Sequence, residues 1–155
     1  MLTKLEKAEK RWGGAHDLID QWLKNRRKLL IQSFIVAGLA PYSRSEKSLP
    51  SMAEVNEFCA QLVDYVSEGH FEVYNRVVKA CEQFGESSIE TANALLPLIS
   101  ASTDMALDFN DKYTDESDEQ VLYQLDNDLS HLAEIMESRF ELEDQLLELL
   151  YQRLP

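Results

Sequence analysis

The side chains best placed for chemistry are Arg26, His70, Arg139 and Glu143. At 100° per residue, each lies on the apolar side of a helical segment. Arg26 falls near the middle of the arc formed by Leu18, Ile19, Trp22, Leu23, Leu29, Leu30, Phe34 and Ala37. His70 shares a face with Val73, Tyr74, Val77, Cys81 and Phe84. Arg139 and Glu143 lie four residues apart, within pairing reach, inside the arc of Leu125, Leu129, Leu132, Met136, Leu146, Leu147 and Leu150. An unpaired buried charge costs several kcal/mol, so these groups are expected to bond to one another. Three readings stay open. The arginine stems run along the core and their heads reach water. A satisfied network lines a cavity or groove. Or the residues form an enzyme or metal site.

Inward His and Glu on a helical bundle call for a test of metal binding. Di-metal bundles take several carboxylates and histidines, often as Glu-x-x-His on two helices. The three histidines, His16, His70 and His131, stand in no such motif. Two inward arginines also repel a divalent cation. The segments GHFEVYNRVV (69–78) and SRFELEDQLL (138–147) echo each other, and Arg139 stands where His70 stands. No cofactor is therefore expected. A metal- or small-ligand-binding four-helix bundle is the alternative reading. The chain holds no Walker loop, no Gly-x-Ser-x-Gly and no Cys-x-x-Cys. Cys59 and Cys81 sit on apolar faces and read as reduced core residues. The cluster Lys24–Lys28 is spread around its helix and makes a poor nucleic-acid site.

These side chains need elements to hold them, and the pattern is helical throughout. The 155 residues include only 5 Gly and 4 Pro. Helices are expected over about 2–12, 15–37, 51–67, 70–84, 88–112 and 118–152. Gly13-Gly14 and Gly69 break the pattern, Gly85 caps the fourth helix and Pro97 kinks the fifth. Residues 38–50 form a loop rich in Ser, with Gly38, Pro41 and Pro50. Ser51…Glu54 and Ser87…Glu90 read as capping boxes. The expected fold is all-α: an up-and-down antiparallel bundle of five to six helices with a four-helix core, as a single domain over 1–155. No run of about 18 apolar residues is present, and the N-terminus lacks a signal-peptide core, so a cytoplasmic protein is expected.

The charge is lopsided. Fifteen Lys and Arg face 28 Asp and Glu, for a net −13. Residues 1–50 hold 10 basic and 5 acidic side chains; the remainder holds 5 basic and 23 acidic. Such a balance argues against nucleic acid or an anionic membrane as partner. On the last helix Glu134, Glu137, Glu141, Asp144 and Glu148 form an outward rail, and Asp104, Asp108 and Asp111 form another on the fifth. Asp64 points away from Val55, Cys59, Leu62 and Val66. A solvated face is one reading. The other is a face built for a basic partner, because like charges four apart destabilise a helix and no lysine relieves them locally.

The segments RWGGAHDLIDQWL (11–23), LVDYVSEGHFEVY (62–74) and RFELEDQLLELL (139–150) resemble the Rsd/AlgQ family. The resemblance runs along nearly the whole chain. It implies a non-catalytic, all-helical cytosolic protein. Such a protein binds the primary sigma factor of RNA polymerase at about 1:1 and keeps it from core enzyme, favouring alternative sigma factors in stationary phase. An acidic face fits the basic DNA-binding region of such a factor. Asp64, Tyr65, His70, Phe71 and Glu72 lie in the family-like central motif. Asp64 and Glu72 point outward and are expected, with Trp22 and the Glu134, Glu137, Glu141, Asp144 and Glu148 rail, to meet the partner. Arg26, His70, Arg139 and Glu143 are expected to serve architecture. Other cytosolic regulatory proteins are further possible partners.

Overall fold

A computed structural model describes residues 2–12, 17–39, 49–68, 74–76, 79 and 86–153. Among these residues six helices form: α1 (Leu2–Trp12), α2 (Asp17–Ala37), α3 (Met52–Glu68), α4 (Glu86–Tyr113), α5 (Glu119–Leu122) and α6 (Leu125–Arg153). Tyr74–Arg76 is also helical, and no strand occurs among the described residues. Apolar residues at three- and four-residue intervals drive this. On α3 the buried set is Val55, Phe58, Cys59, Leu62, Tyr65 and Val66. On α4 it includes Ala92, Leu95, Ile99, Ala106, Phe109 and Tyr113. Each fully buried Leu or Ile contributes about 1.5–3 kcal/mol over leaving it in water, before its ordering entropy is counted.

Helices α2, α3, α4 and α6 pack in a ring, each against the next, and α1 covers the seam between α2 and α6. Contacts fix the directions. Arg26 meets Tyr65 and Asn25 meets Glu68, so α2 and α3 run antiparallel. Arg139 meets Ser102 while Lys112 meets Asp128, so α4 and α6 do the same. Phe58 packs edge-on against Phe109 at 5.6 Å between α3 and α4. The architecture is the expected all-α bundle with a four-helix core.

The helix ends have local causes. Gly38 takes φ 69, a left-handed angle that costs glycine little. Its N–H donates to Ile35 O at 3.1 Å, and that of Leu39 donates to Phe34 O at 3.0 Å, closing α2 in a Schellman motif. Ser51 Oγ accepts from the Glu54 N–H at 3.1 Å, half of the expected capping box for α3. At α4 the expectation fails by a residue or two: the helix already runs at Glu86, so Ser87 lies inside it rather than capping it. Pro97 sits within α4 on an exposed side, where water can serve the carbonyl its ring leaves without a donor.

The last expected helix is in fact two. Asp118 Oδ1 caps α5 by accepting from Gln120 at 2.9 Å. The Gln124 N–H then reaches Val121 O at 3.0 Å, an i→i+3 tightening that redirects the chain before α6. Leu122 and Leu125 keep helical spacing across the break, so the apolar pattern carries no sign of it. The connection after α4 is anchored by Asn56, which donates to Asp115 Oδ1 at 3.0 Å and accepts from the Asp115 N–H at 2.8 Å. Asp115 has φ 58, a left-handed angle that Asp tolerates better than most residues. Gly13, Gly14, Gly69, Gly85 and most of the expected helix over 70–84 lie outside the described residues.

Candidate functional site

Two regions hold the residues expected to matter: a buried polar cluster and the acidic exterior. The cluster forms where α2, α3, α4 and α6 meet. Arg139 and Glu143 are wholly buried, and Arg26 is 2% exposed. Arg139 Nε donates to Glu143 Oε1 at 3.2 Å, one helical turn along α6. Its Nη1 donates to Ser102 Oγ at 3.1 Å and Thr103 Oγ1 at 2.6 Å on α4. Its Nη2 donates to the Tyr74 hydroxyl at 2.9 Å and to Val66 O on α3 at 3.5 Å. Arg139 thus joins α3, α4, α6 and the Tyr74 turn.

Arg26 works from the other side. Its Nε donates to the Tyr65 hydroxyl at 3.0 Å, and its Nη1 donates to Asp144 Oδ1 at 2.7 Å. The guanidinium carbon lies over the rings of Trp22 and of Phe140, 5.4 and 4.9 Å from their centroids. Trp22 stacks on Tyr65 at 6.2 Å and meets Tyr74 edge-on at 6.1 Å. Trp22 Nε1 and Arg26 Nη2 find no acceptor among the described residues.

The formal charges of the cluster cancel: Arg26 and Arg139 face Glu143 and Asp144. Burial works against the Arg26 charge, but the Tyr65, Glu143 and Asp144 oxygens outweigh it and hold its pKa above the ordinary value. Burial likewise opposes the Arg139 charge, and Glu143 and the Tyr74 and Tyr65 oxygens outweigh it. Burial raises the pKa of Glu143 and of Asp144, with the arginines opposing. Burial also pushes the Tyr65 phenol well above its usual range, so it remains a neutral donor. A buried, neutral-sum network with most donors satisfied locks helices together. It presents no open nucleophile, and among the described residues no three His, Cys, Asp or Glu side chains gather to hold a metal ion.

The structure brings together Arg26, Arg139 and Glu143. His70 lies outside the described residues, as do Glu72, His16 and Cys81. The periodicity missed Tyr65, Tyr74, Ser102, Thr103 and Asp144 as members of the cluster. Tyr65 carried a signal, standing three residues after the core residue Leu62. Ser102 also carried one, falling on the buried stripe between Ile99 and Ala106.

The exterior departs from the expected surface in three ways. Trp22 is 0% exposed, so it is a core residue here and not a surface available to a partner. Asp144 is turned inward to Arg26 and is not part of an outward rail. Glu137 and Glu141 do have a lysine: Lys4 Nζ on α1 bridges them at 2.7 and 2.9 Å. The relief comes from another helix, where inspection along α6 does not find it. That bridge holds the Glu137 carboxyl below its usual range. Asp64 and Glu134 are exposed, Glu148 is half-buried, and Asp104, Asp108 and Asp111 are exposed along α4.

Residues 1–151 match the family described as "Regulator of RNA polymerase sigma(70) subunit, Rsd/AlgQ". The chain belongs to the Rsd/AlgQ family. Rsd/AlgQ relatives include a "Regulator of sigma D" from Yersinia pseudotuberculosis serotype O:1b (strain IP 31758). It is 37% identical over 150 residues, covering 96% of this chain and 88% of the relative. Proteins of the same name from Yersinia enterocolitica and Enterobacter sp. (strain 638) are each 36% identical, covering 96% of this chain and 89% of theirs. Among the described residues of this Rsd/AlgQ chain, Arg26, Arg139, Glu143 and Asp144 neutralise one another inside, while Asp64, Asp104, Asp108, Asp111 and Glu134 stand exposed.

Proposed function

We propose that this chain binds the primary sigma subunit of RNA polymerase one-to-one, as a single regulatory domain spanning residues 1–155. Binding withholds sigma from core enzyme and promoter DNA, so alternative sigma factors compete better in stationary phase. The role is regulatory and not catalytic, and it is exercised in the cytoplasm, where the polymerase works. The family match over residues 1–151 carries this reading. No described helix is long and apolar enough to cross a membrane.

Charge supports the mode of binding. A sigma helix-turn-helix binds DNA with a basic face. The exposed carboxylates of Asp64 on α3 and Glu134 on α6 stand in for phosphates against that face, with Glu72 in the same role. Glu137 and Glu141 join them when Lys4 releases its bridge, and Glu148 completes that side. Trp22, Arg26, Arg139 and Glu143 hold the shape of the surface from within.

Capture of purified primary sigma by the immobilised protein, across a salt series, tests the reading. A 1:1 complex is expected at low salt, weakening steeply as counterions screen the carboxylates. Absence of capture at low salt overturns it.

A further inference from the structure

A groove of about 240 Å³ opens between α4 and α6. Its floor is apolar: Met105 and Phe109 on one side, Leu132 and Ile135 on the other. Met105 is 41% exposed, although an unbranched apolar side chain beside a groove could pack away from water. Seven residues earlier on the same stripe, Leu98 is 57% exposed. The two stand about 10 Å apart along the helix axis. Lys112 and Asp128 pair with each other at 2.7 Å at one end of the groove, cancelling the one cation among its lining residues. The remaining charge beside it is acidic. Asp104 and Asp108 follow the Met105 stripe, and both are exposed and in no ion pair among the described residues.

An apolar floor with an acidic rim selects its occupant. A second copy of this chain brings another acidic rim and a net −13, so it is repelled. An anionic membrane is repelled likewise. Two anchors seven residues apart match the heptad stripe of a helix, and the rim asks for lysine or arginine flanking that stripe. We propose that the α4–α6 groove is a second docking face, which takes a basic amphipathic helix of a partner protein. Leucine-like anchors of that helix fill the floor beside Met105, Phe109 and Ile135, and its cations meet Asp104 and Asp108. None of these groove residues is among those assigned to sigma, so the assignment stands whether or not sigma binds at Asp64.

The test uses the full-length chain and a fluorescein-labelled 21-residue peptide of leucine and lysine with a heptad leucine stripe. Its control is a peptide of the same composition with the leucines scattered. Anisotropy should show the striped peptide binding at least about tenfold more tightly than the scattered one. Met105→Glu and Asp108→Lys each alter an exposed side chain, so the fold is retained, and each should weaken the striped peptide about tenfold. Glu57→Lys, at an exposed site on α3 assigned to neither face, should leave it unchanged. In methyl NMR the peptide should shift the Met105 and Ile135 signals. Equal binding of both peptides, wild-type affinity in the groove variants, equal weakening by Glu57→Lys, or unmoved Met105 and Ile135 methyls each overturns the proposal.

Discussion

The Tyr65 hydroxyl faces both carboxylate oxygens of Glu143, at 3.1 and 3.0 Å, across the centre of the four-helix ring. The same hydroxyl accepts from Arg26 Nε. One phenol therefore links an α2 cation to an α6 anion from a third helix. Tyr65→Phe removes that link and leaves charged groups under-bonded. The expected cost is about 1–3 kcal/mol. Glu143→Ala leaves two buried arginines with too little balancing charge and should cost about 3–5 kcal/mol. Urea unfolding followed by circular dichroism measures both. A Glu143→Ala midpoint equal to wild type would remove the cluster from the account of stability.

Acid should act on the bundle with two signs. Hydrogen bonds from Lys112 and then Tyr113 hold the Asp128 carboxyl below its usual range. A lowered folded pKa means that the unfolded chain takes the proton first. Its stabilising contribution is therefore present above the unfolded value, about pH 4, and is lost as pH falls through the folded one. Burial raises the pKa of Glu143, so there the folded state takes the proton first and acidification through that window adds stability. Asp128→Asn should consequently flatten the loss of stability between about pH 5 and pH 3. An unchanged pH slope refutes the assignment to Asp128.

Lys4 masks two of the carboxylates assigned to partner binding. Lys4→Ser frees Glu137 and Glu141, and it should tighten sigma capture at low salt and steepen its salt dependence. Titration of labelled sigma at several salt concentrations reads this directly. Identical salt slopes for variant and wild type would make Glu137 and Glu141 purely structural.

Asp64 and Trp22 should separate binding from folding. Asp64→Lys, at an exposed site, should weaken sigma capture about tenfold while the thermal midpoint stays put. Trp22→Ala empties the space under Arg26 and should cost about 3–5 kcal/mol. Its loss of binding should then track the unfolded fraction alone. A Trp22→Ala protein that melts like wild type yet fails to bind sigma would return Trp22 to the interface.

The spacing of apolar residues by itself determined that this chain is helical, where most of its helices run, and that Arg26, Arg139 and Glu143 face inward. A helical period depends only on positions along one segment, so a single sequence contains it. The break at Tyr123 escaped because Leu122 and Leu125 keep helical spacing across it. Pairing between helices was decided only in the tertiary structure. Lys4 reaches Glu137 from 133 residues away. Asp144 leaves the apparent rail for Arg26, and Trp22 closes over with Tyr65 and Tyr74. Each outcome depends on how far one helix is rotated and slid against another. That register is set by the packing of the whole core, and no segment encodes it alone.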